Sequence, residues 1–365
     1  MKTTQHITYI GKAQEMSHIE TESIDLIVTS PPYPMIEMWD EIMCKQNPMI
    51  TSALNDNDGN KAFELMHQEL DKVWQESYRV LKKGGIACIN IGDATRTIKD
   101  NFSLYTNHAR IIKSCLEIGF TNLPNIIWRK QTNAPNKFMG SGMLPAGAYV
   151  TLEHEWILIF RKGGKRSFKT EAEKTARRSS SFFWEERNVW FSDIWDLKGT
   201  KQKIDNTSRD RSAAFPFALP YRLINMYSLK GDTILDPFMG TGTTAIASIV
   251  SGRNSIGYEI DSSFEDIIND NIRGLNIDVL NKIIKDRLDC HKAFINDRVQ
   301  DKTKNEIKHF NQALSLPVIT SQETGIEFSF INEITNRPSY FEVSYSSPIS
   351  DSTELPFKKT KGTLF

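Results

Sequence analysis

Thr233-Ile234-Leu235-Asp236-Pro237-Phe238-Met239-Gly240-Thr241-Gly242-Thr243-Thr244 runs from a short apolar stretch through a glycine-rich turn into a helical one. Glycine lets the backbone turn tightly and approach a ligand that a Cβ would push away. Behind the turn, residues 254–259 read as the next strand and end on Glu259. Strand, turn, helix, strand and acid, with the acid about twenty residues past the turn, is the spacing of a nucleoside-binding α/β unit. In such a unit the carboxylate meets ribose hydroxyls at the strand ends. The turn has neither the Gly-Lys-Ser/Thr of a phosphate loop nor the GxGxxG of a dinucleotide fold. It aims few N–H groups at a pyrophosphate and suits an adenosine-type ligand without one. S-adenosylmethionine, a nucleoside carrying a sulfonium and an amino-acid tail, is such a ligand.

Two hundred residues earlier a second strand ends in an unusual loop. Residues 6–10 and 24–28 are β-prone, and the second run is apolar enough for a buried parallel strand. It leads directly into Thr29-Ser30-Pro31-Pro32-Tyr33-Pro34. Proline fixes φ and lacks an N–H, so this is a rigid loop at a strand's C-terminal end. Proline carbonyls and the Ser30 hydroxyl can accept the hydrogens of an exocyclic amine. Tyr33 offers a flat face on which a planar base could stack.

Between these motifs the α/β pattern continues. Residues 55–60 (NDNDGN) hold only turn formers and read as a surface loop. Phe63, Met66, Leu70, Val73, Trp74 and Leu81 recur at helical spacing, with Gly84-Gly85 expected to stop that helix before a strand over 86–91. A helix ending near Gly119 follows, then apolar runs at 125–128 and 155–160 around a glycine-rich loop at Gly140-Ser141-Gly142. From Arg161 to Arg178 eight basic residues face only Glu171 and Glu173, which marks an inserted recognition segment. Phe215-Pro216 then opens a helix before the 233–259 unit, a charged helix covers 278–299, and the last sixty or so residues are polar with short β-prone pieces. The layout predicts an α/β fold, a doubly wound, mostly parallel sheet with an insertion.

The two motifs together resemble the amino-group DNA methyltransferases. Thr29-Ser30-Pro31-Pro32-Tyr33 is similar to their catalytic motif and Asp236 to Thr244 to their cofactor motif. The order, catalytic motif first, is that of the β class, and the resemblance spans roughly residues 5–275. Residues 81–93 (LKKGGIACINIGD), 153–162 (EHEWILIFRK) and Phe215-Pro216 agree with it. Where family members often carry His-Pro-Ala, this chain has Arg211-Ser212-Ala213. The resemblance implies a sequence-specific methyltransferase that moves a methyl group from S-adenosylmethionine to a flipped-out base in double-stranded DNA. Serine before Pro-Pro-Tyr is typical of cytosine-N4 enzymes and aspartate of adenine-N6 enzymes, so Ser30 favours cytosine N4, with adenine N6 the alternative. A catalytically idle DNA-recognition module is the alternative of another class.

By the same resemblance Ser30, Pro31, Pro32 and Tyr33 are catalytic. Phe215, Asp236, Pro237, Phe238, Gly240, Gly242, Thr243 and Glu259 bind the cofactor. Lys162, Lys165, Arg166, Arg177 and Arg178 contact DNA. Trp39 reads first as a core tryptophan and second as an addition to the base pocket, and Asp93 either touches the ligands or caps a helix. Restriction–modification is the implied setting, with any cognate restriction endonuclease on a separate chain. The expected division is 1–130 for the catalytic part, 131–210 for the strand pair and target recognition region, 211–275 for the cofactor part, and 276–365 for a C-terminal helix and extension.

Composition sets limits on other readings. With 39% apolar and 25% charged residues the chain is ordinary for a globular protein, which argues against dominant disorder. Basic and acidic residues balance at 45 each, so a diffuse polycationic grip on nucleic acid is excluded and any such contact must be local. Cys44, Cys88, Cys115 and Cys290 form no CxxC pair, which argues against disulfides and zinc and fits a reducing cytoplasm. No apolar run has the length of a membrane span, and residues 1–14 lack a signal-peptide core.

Overall fold

In the computed structural model of the chain, the described residues are 2–130, 139–140, 143–198, 215–301 and 303–349. Ser141, Gly142 and the Arg211-Ser212-Ala213 segment lie outside them. The first part of the chain forms β1 (Thr3–Ile10), β2 (Ile24–Thr29), α1 (Asp40–Gln46), α2 (Pro48–Asn55), α3 (Gly59–Val80) and β3 (Leu81–Ile91). A hairpin of β4 (Ala94–Ile98) and β5 (Asn101–Tyr105) follows, then α4 (Asn107–Ile118), β6 (Phe120–Asn122) and β7 (Ile126–Arg129). The middle contributes β8 (Met139–Gly140), β9 (Ala148–Tyr149), β10 (His154–Lys162), α5 (Glu171–Ser179), α6 (Trp184–Trp190) and β11 (Ile194–Asp196). Next come α7 (Ala218–Tyr227), β12 (Thr233–Asp236), α8 (Thr243–Ser251), β13 (Asn254–Glu259), α9 (Phe264–Arg273) and α10 (Ile277–Gln300). The small pair β14 (His309–Asn311) and β15 (Leu316–Val318) precedes β16 (Ile331–Arg337) and β17 (Tyr340–Tyr345).

One mixed sheet organises these elements in the order β11-β7-β10-β3-β2-β12-β13-β1-β17-β16, with β6 also on β10. Its centre, β3-β2-β12-β13-β1, is parallel throughout. All six residues of β2 are buried, as a strand covered on both faces requires. Its side chains divide with a period of two. Ile27 joins Ile89, Trp74, Leu70 and Ile111 beneath α3 and α4, whereas Leu26 and Val28 join Cys88, Trp128, Leu219 and Leu223 beneath α7 on the other face.

Local punctuation differs from the sequence reading at two places. The 55–60 loop shrinks to a three-residue joint between α2 and α3, in which the Asp58 side chain accepts the Lys61 N–H at 3.0 Å as an N-cap. Gly84-Gly85 does not stop α3. The helix ends at Val80, where Leu81 turns extended (φ −71°, ψ 133°) and starts β3. Gly84 instead sits at φ +85°, where a Cβ would lie 2.6 Å from the Arg166 backbone nitrogen. The pairing of β2 with β3 shifts register in the same stretch.

The C-terminal part extends the sheet. β17 runs antiparallel to β1, and Phe341, Val343 and Tyr345 pack with Ile249 of α8 and Leu280 of α10. The Tyr345 hydroxyl donates to the Ile249 carbonyl at 2.8 Å. An otherwise open edge at β1 is thereby paired. Cys44, Cys88, Cys115 and Cys290 are free thiols. Among the described residues no helix is long and apolar enough to cross a membrane, and no group of three or more potential metal ligands occurs.

Candidate active site

The parallel strands β2, β12 and β13 end side by side, so the loops that follow them converge. Ser30, Pro31 and Pro32 line one wall of a cleft of about 970 Å³, its open mouth included, and the turn from Asp236 to Thr243 lines another. Phe215, at the entry to α7, and Glu259, at the end of β13, complete it with Trp39 from the segment before α1. Two motifs two hundred residues apart therefore share one cavity.

The turn is held by short bonds from its flanks. One Asp236 oxygen accepts the Thr29 hydroxyl at 2.6 Å and the Phe238 N–H at 3.1 Å, and the other accepts the Thr244 hydroxyl at 2.6 Å. Burial pushes the Asp236 carboxyl above its ordinary pKa, against the pull of these donors. With its carboxylate so engaged, Asp236 fastens the turn to β2 and α8. Gly240 and Gly242 have φ of +54° and +90°, a region that favours glycine. A Cβ on Gly240 would meet nothing within 4 Å. The Gly240 N–H donates to Glu259 at 2.9 Å, and the Asp261 N–H to its other oxygen at 3.0 Å. Met239 packs over Gly257 of β13, where a Cβ would lie 2.1 Å from the Met239 sulfur.

Behind Ser30 lies a buried polar network that sequence reasoning missed. The Tyr33 hydroxyl donates to Glu155 Oε2 at 2.8 Å, and Asn90 Nδ2 donates to Glu155 at 2.7 Å and to the Tyr33 oxygen at 2.8 Å. Ser30 Oγ and the Tyr33 hydroxyl are 3.2 Å apart. Lys130 Nζ pairs with the second Glu155 oxygen. Asn90 is the penultimate residue of β3, and Glu155 reaches it because β10 runs against β3, with Trp156 opposite Ile91. Burial and then the Glu155 charge raise the Tyr33 phenol well above its ordinary value, so it keeps its proton. Gly92 makes room, since a Cβ there would lie 2.9 Å from the Tyr33 ring.

These contacts correct the picture of Tyr33 as an open stacking face. Its side chain is enclosed at 9% exposure, and the cleft lining includes Trp39 instead. Asp93 turns away as well. It accepts the His108 N–H at 3.1 Å and lies 2.7 Å from His108 Nδ1, which ties down the start of α4.

The basic segment is a larger correction. Lys162 is buried on β10 and donates to the Tyr78 carbonyl at 2.7 Å near the end of α3. Arg166 makes a forked pair with Asp232 at 2.6 and 3.1 Å and reaches Asp25 at 3.6 Å. Asp232 and Asp25 lie at the starts of β12 and β2, about 16 Å along the sheet from Ser30 at ~3.3 Å per residue. Arg177 lies over the Phe168 ring at 4.7 Å, and Arg178 packs at Gly325. Lys165 is exposed on the same loop. Lys162 and Arg166 thus lie at the opposite end of the strands from the cleft, where a carbonyl and two carboxylates account for them. The 143–153 stretch leads into β10 at the end where Glu155 lies, with Met143 at 86% and Leu144 at 70% exposure. Tyr149 of that stretch stacks on Phe102 of the β4–β5 hairpin at 4.5 Å.

The chain matches the model of a family described as DNA methylase over residues 24–270. The Type II methyltransferase M.MthZI of Methanothermobacter thermautotrophicus is 51% identical over 333 residues, covering 90% of this chain and 91% of that protein. The Type II methyltransferase M.MjaI of Methanocaldococcus jannaschii is 52% identical over 281 residues, covering 74% and 92%. Among solved structures, a Thermus thermophilus protein complexed with S-adenosyl-L-methionine is similar at a TM-score of 0.57 and 30% identity, covering 73% of this chain and 92% of that one. The cytosine-N4-specific PvuII DNA methyltransferase shares the fold at a TM-score of 0.54 and 17% identity, covering 79% and 94%.

Proposed function

The chain belongs to the DNA methylases of the N6/N4 amino group and uses S-adenosylmethionine, and from this premise we propose that it methylates N4 of cytosine at a specific site in duplex DNA. The observation that carries the reading is the placement of Ser30 on the same cleft as the Asp236–Thr243 turn. The residues of that turn fit the cofactor. Space is open beside Gly240, the Glu259 carboxylate stands at the strand end, and Phe215 and Phe238 supply apolar wall. Pro237, Gly242 and Thr243 shape the rest of this side, and Asp236 holds it in place. When bound, S-adenosylmethionine supplies a methyl group on a sulfonium leaving group.

The chain's own task is to make an amine reactive and to aim it. An exocyclic amine is a weak nucleophile because its lone pair is delocalised into the ring. Ser30 Oγ and the carbonyl of Pro31 or Pro32 accept its hydrogens, draw the nitrogen toward tetrahedral geometry and offset the charge that develops there. The prolines keep these acceptors fixed, so alignment costs little at the moment of transfer. Bringing the base from a duplex to this cleft costs roughly a few kcal/mol of unstacking and unpairing. Serine at position 30, where adenine enzymes of this group typically carry aspartate, supports cytosine over adenine.

The DNA-facing surface in this reading is the cleft rim formed by the β4–β5 hairpin and the 143–153 stretch, in place of the 162–178 segment. The two archaeal relatives are named Type II methyltransferases, and we read this chain in the same way, as protecting host DNA beside a restriction endonuclease on a separate chain.

Mass spectrometry of nucleosides from unmethylated DNA, treated with the protein and S-adenosylmethionine, tests the base assignment. N4-methylcytosine is the expected product. N6-methyladenine would refute the cytosine assignment and leave the cofactor and cleft as described.

A further inference from the structure

The network behind Ser30 favours one ordering of its hydrogens, and that ordering bears on which base the cleft takes. This inference rests on the reading of Ser30 as acceptor of the target amine. A carboxylate only accepts and an amide NH2 only donates. Tyr33 spends its one proton on Glu155 at 2.8 Å. Asn90 directs its NH2 to Glu155 at 2.7 Å and Tyr33 at 2.8 Å, with Ser30 Oγ a more distant acceptor at 3.4 Å, while its own oxygen is buried without a partner. Turning that amide over would set its oxygen against the Glu155 carboxylate. In the 3.2 Å contact between Ser30 and Tyr33 the tyrosine oxygen must therefore accept and the serine must donate. With the Ser30 proton directed at Tyr33, what Ser30 Oγ offers the cleft is a lone pair.

We propose that Glu155, held by Lys130, is a positioning residue that sets the direction of the chain Ser30 to Tyr33 to Glu155, so that toward the cleft Ser30 only accepts and selects a base bearing an amine over its oxo counterpart. An oxo base would bring an oxygen lone pair against the lone pairs of Ser30. Glutamine at position 155 can turn its NH2 toward Tyr33. Tyr33 is then free to donate to Ser30, whose proton can turn to the cleft.

The test uses the full chain with S-adenosylhomocysteine and two competing duplexes that differ only at the methylated position, cytosine against uracil (or adenine against hypoxanthine if adenine is the base methylated), each set opposite an abasic site so that neither base has a pair to break. The wild-type chain should prefer the amine duplex by about tenfold or more. Glu155→Gln should bring that preference close to one and slow methyl transfer roughly 100-fold, with S-adenosylmethionine affinity unchanged. Glu155→Asp, which keeps an acceptor, should retain most of the preference. Tyr33→Phe, which cuts the chain with Glu155 intact, should lose it. Preference retained in Glu155→Gln or in Tyr33→Phe overturns the proposal, as does equal loss in Glu155→Asp and Glu155→Gln. A fully active Ser30→Ala would instead overturn the reading of Ser30 itself, so the two failures are separable.

Discussion

His6 and His67 are walled off from water, and each is committed to neutral partners. His6 contacts Ser255 Oγ at 2.8 Å and Thr4 Oγ1 at 2.9 Å, and His67 contacts Asn107 Oδ1 at 2.9 Å. Burial lowers their pKa values to about 3 and about 4 from the ordinary 6.5. Because the folded values are depressed, the unfolded chain binds protons more readily once the pH falls below about 6.5. Their stabilising effect is full above that pH and is lost as the pH falls toward the folded values. At pH 5 each histidine is expected to remove about 2 kcal/mol of stability relative to pH 7. Urea midpoints at the two pH values check this, and a midpoint that rises on acidification would contradict it. Legibility at this scale followed chain neighbours. Ser30 could be found because prolines beside it freeze its loop. Glu155 was written in plain view as an acid at the head of an apolar strand. Its role depends on β10 running against β3, which local sequence does not state.

The element with the least slack is the turn between β12 and α8. Its hydrogen bonds come from β2, β13 and α8, and Met239 lies on β13 only because residue 257 has no side chain. Gly257→Ala should force Met239 and its turn outward, an overpacking that costs about 1–3 kcal/mol. We expect S-adenosylmethionine affinity, read by calorimetry, to fall about tenfold or more with the fold retained; unchanged affinity would show that the turn does not rest on Met239. Strand, turn and helix were legible here because glycines, apolar run and acid agree over one short stretch. The β4–β5 hairpin was not, since ATRTI and NFSLY alternate polar and apolar residues too weakly to stand out. The basic segment misled for a related reason. Charge density along the chain says nothing about which carboxylates lie opposite, and Asp25 and Asp232 are distant in sequence from Arg166.

At the scale of the molecule, function follows from strand order. β2 and β12 are neighbours in the sheet although some two hundred residues separate them, so the proline loop and the glycine turn open on one cleft. The C-terminal strands pair along β1 and extend the sheet to β16, a role that polar, weakly patterned residues did not announce. The central claim is that Ser30 acts on the base while the Asp236–Thr243 turn holds the cofactor beside it. Single-turnover methyl transfer by Ser30→Ala, measured together with its S-adenosylmethionine affinity, tests that division directly. The expected result is transfer slowed about 100-fold or more with cofactor affinity unchanged. Transfer at the wild-type rate would contradict it.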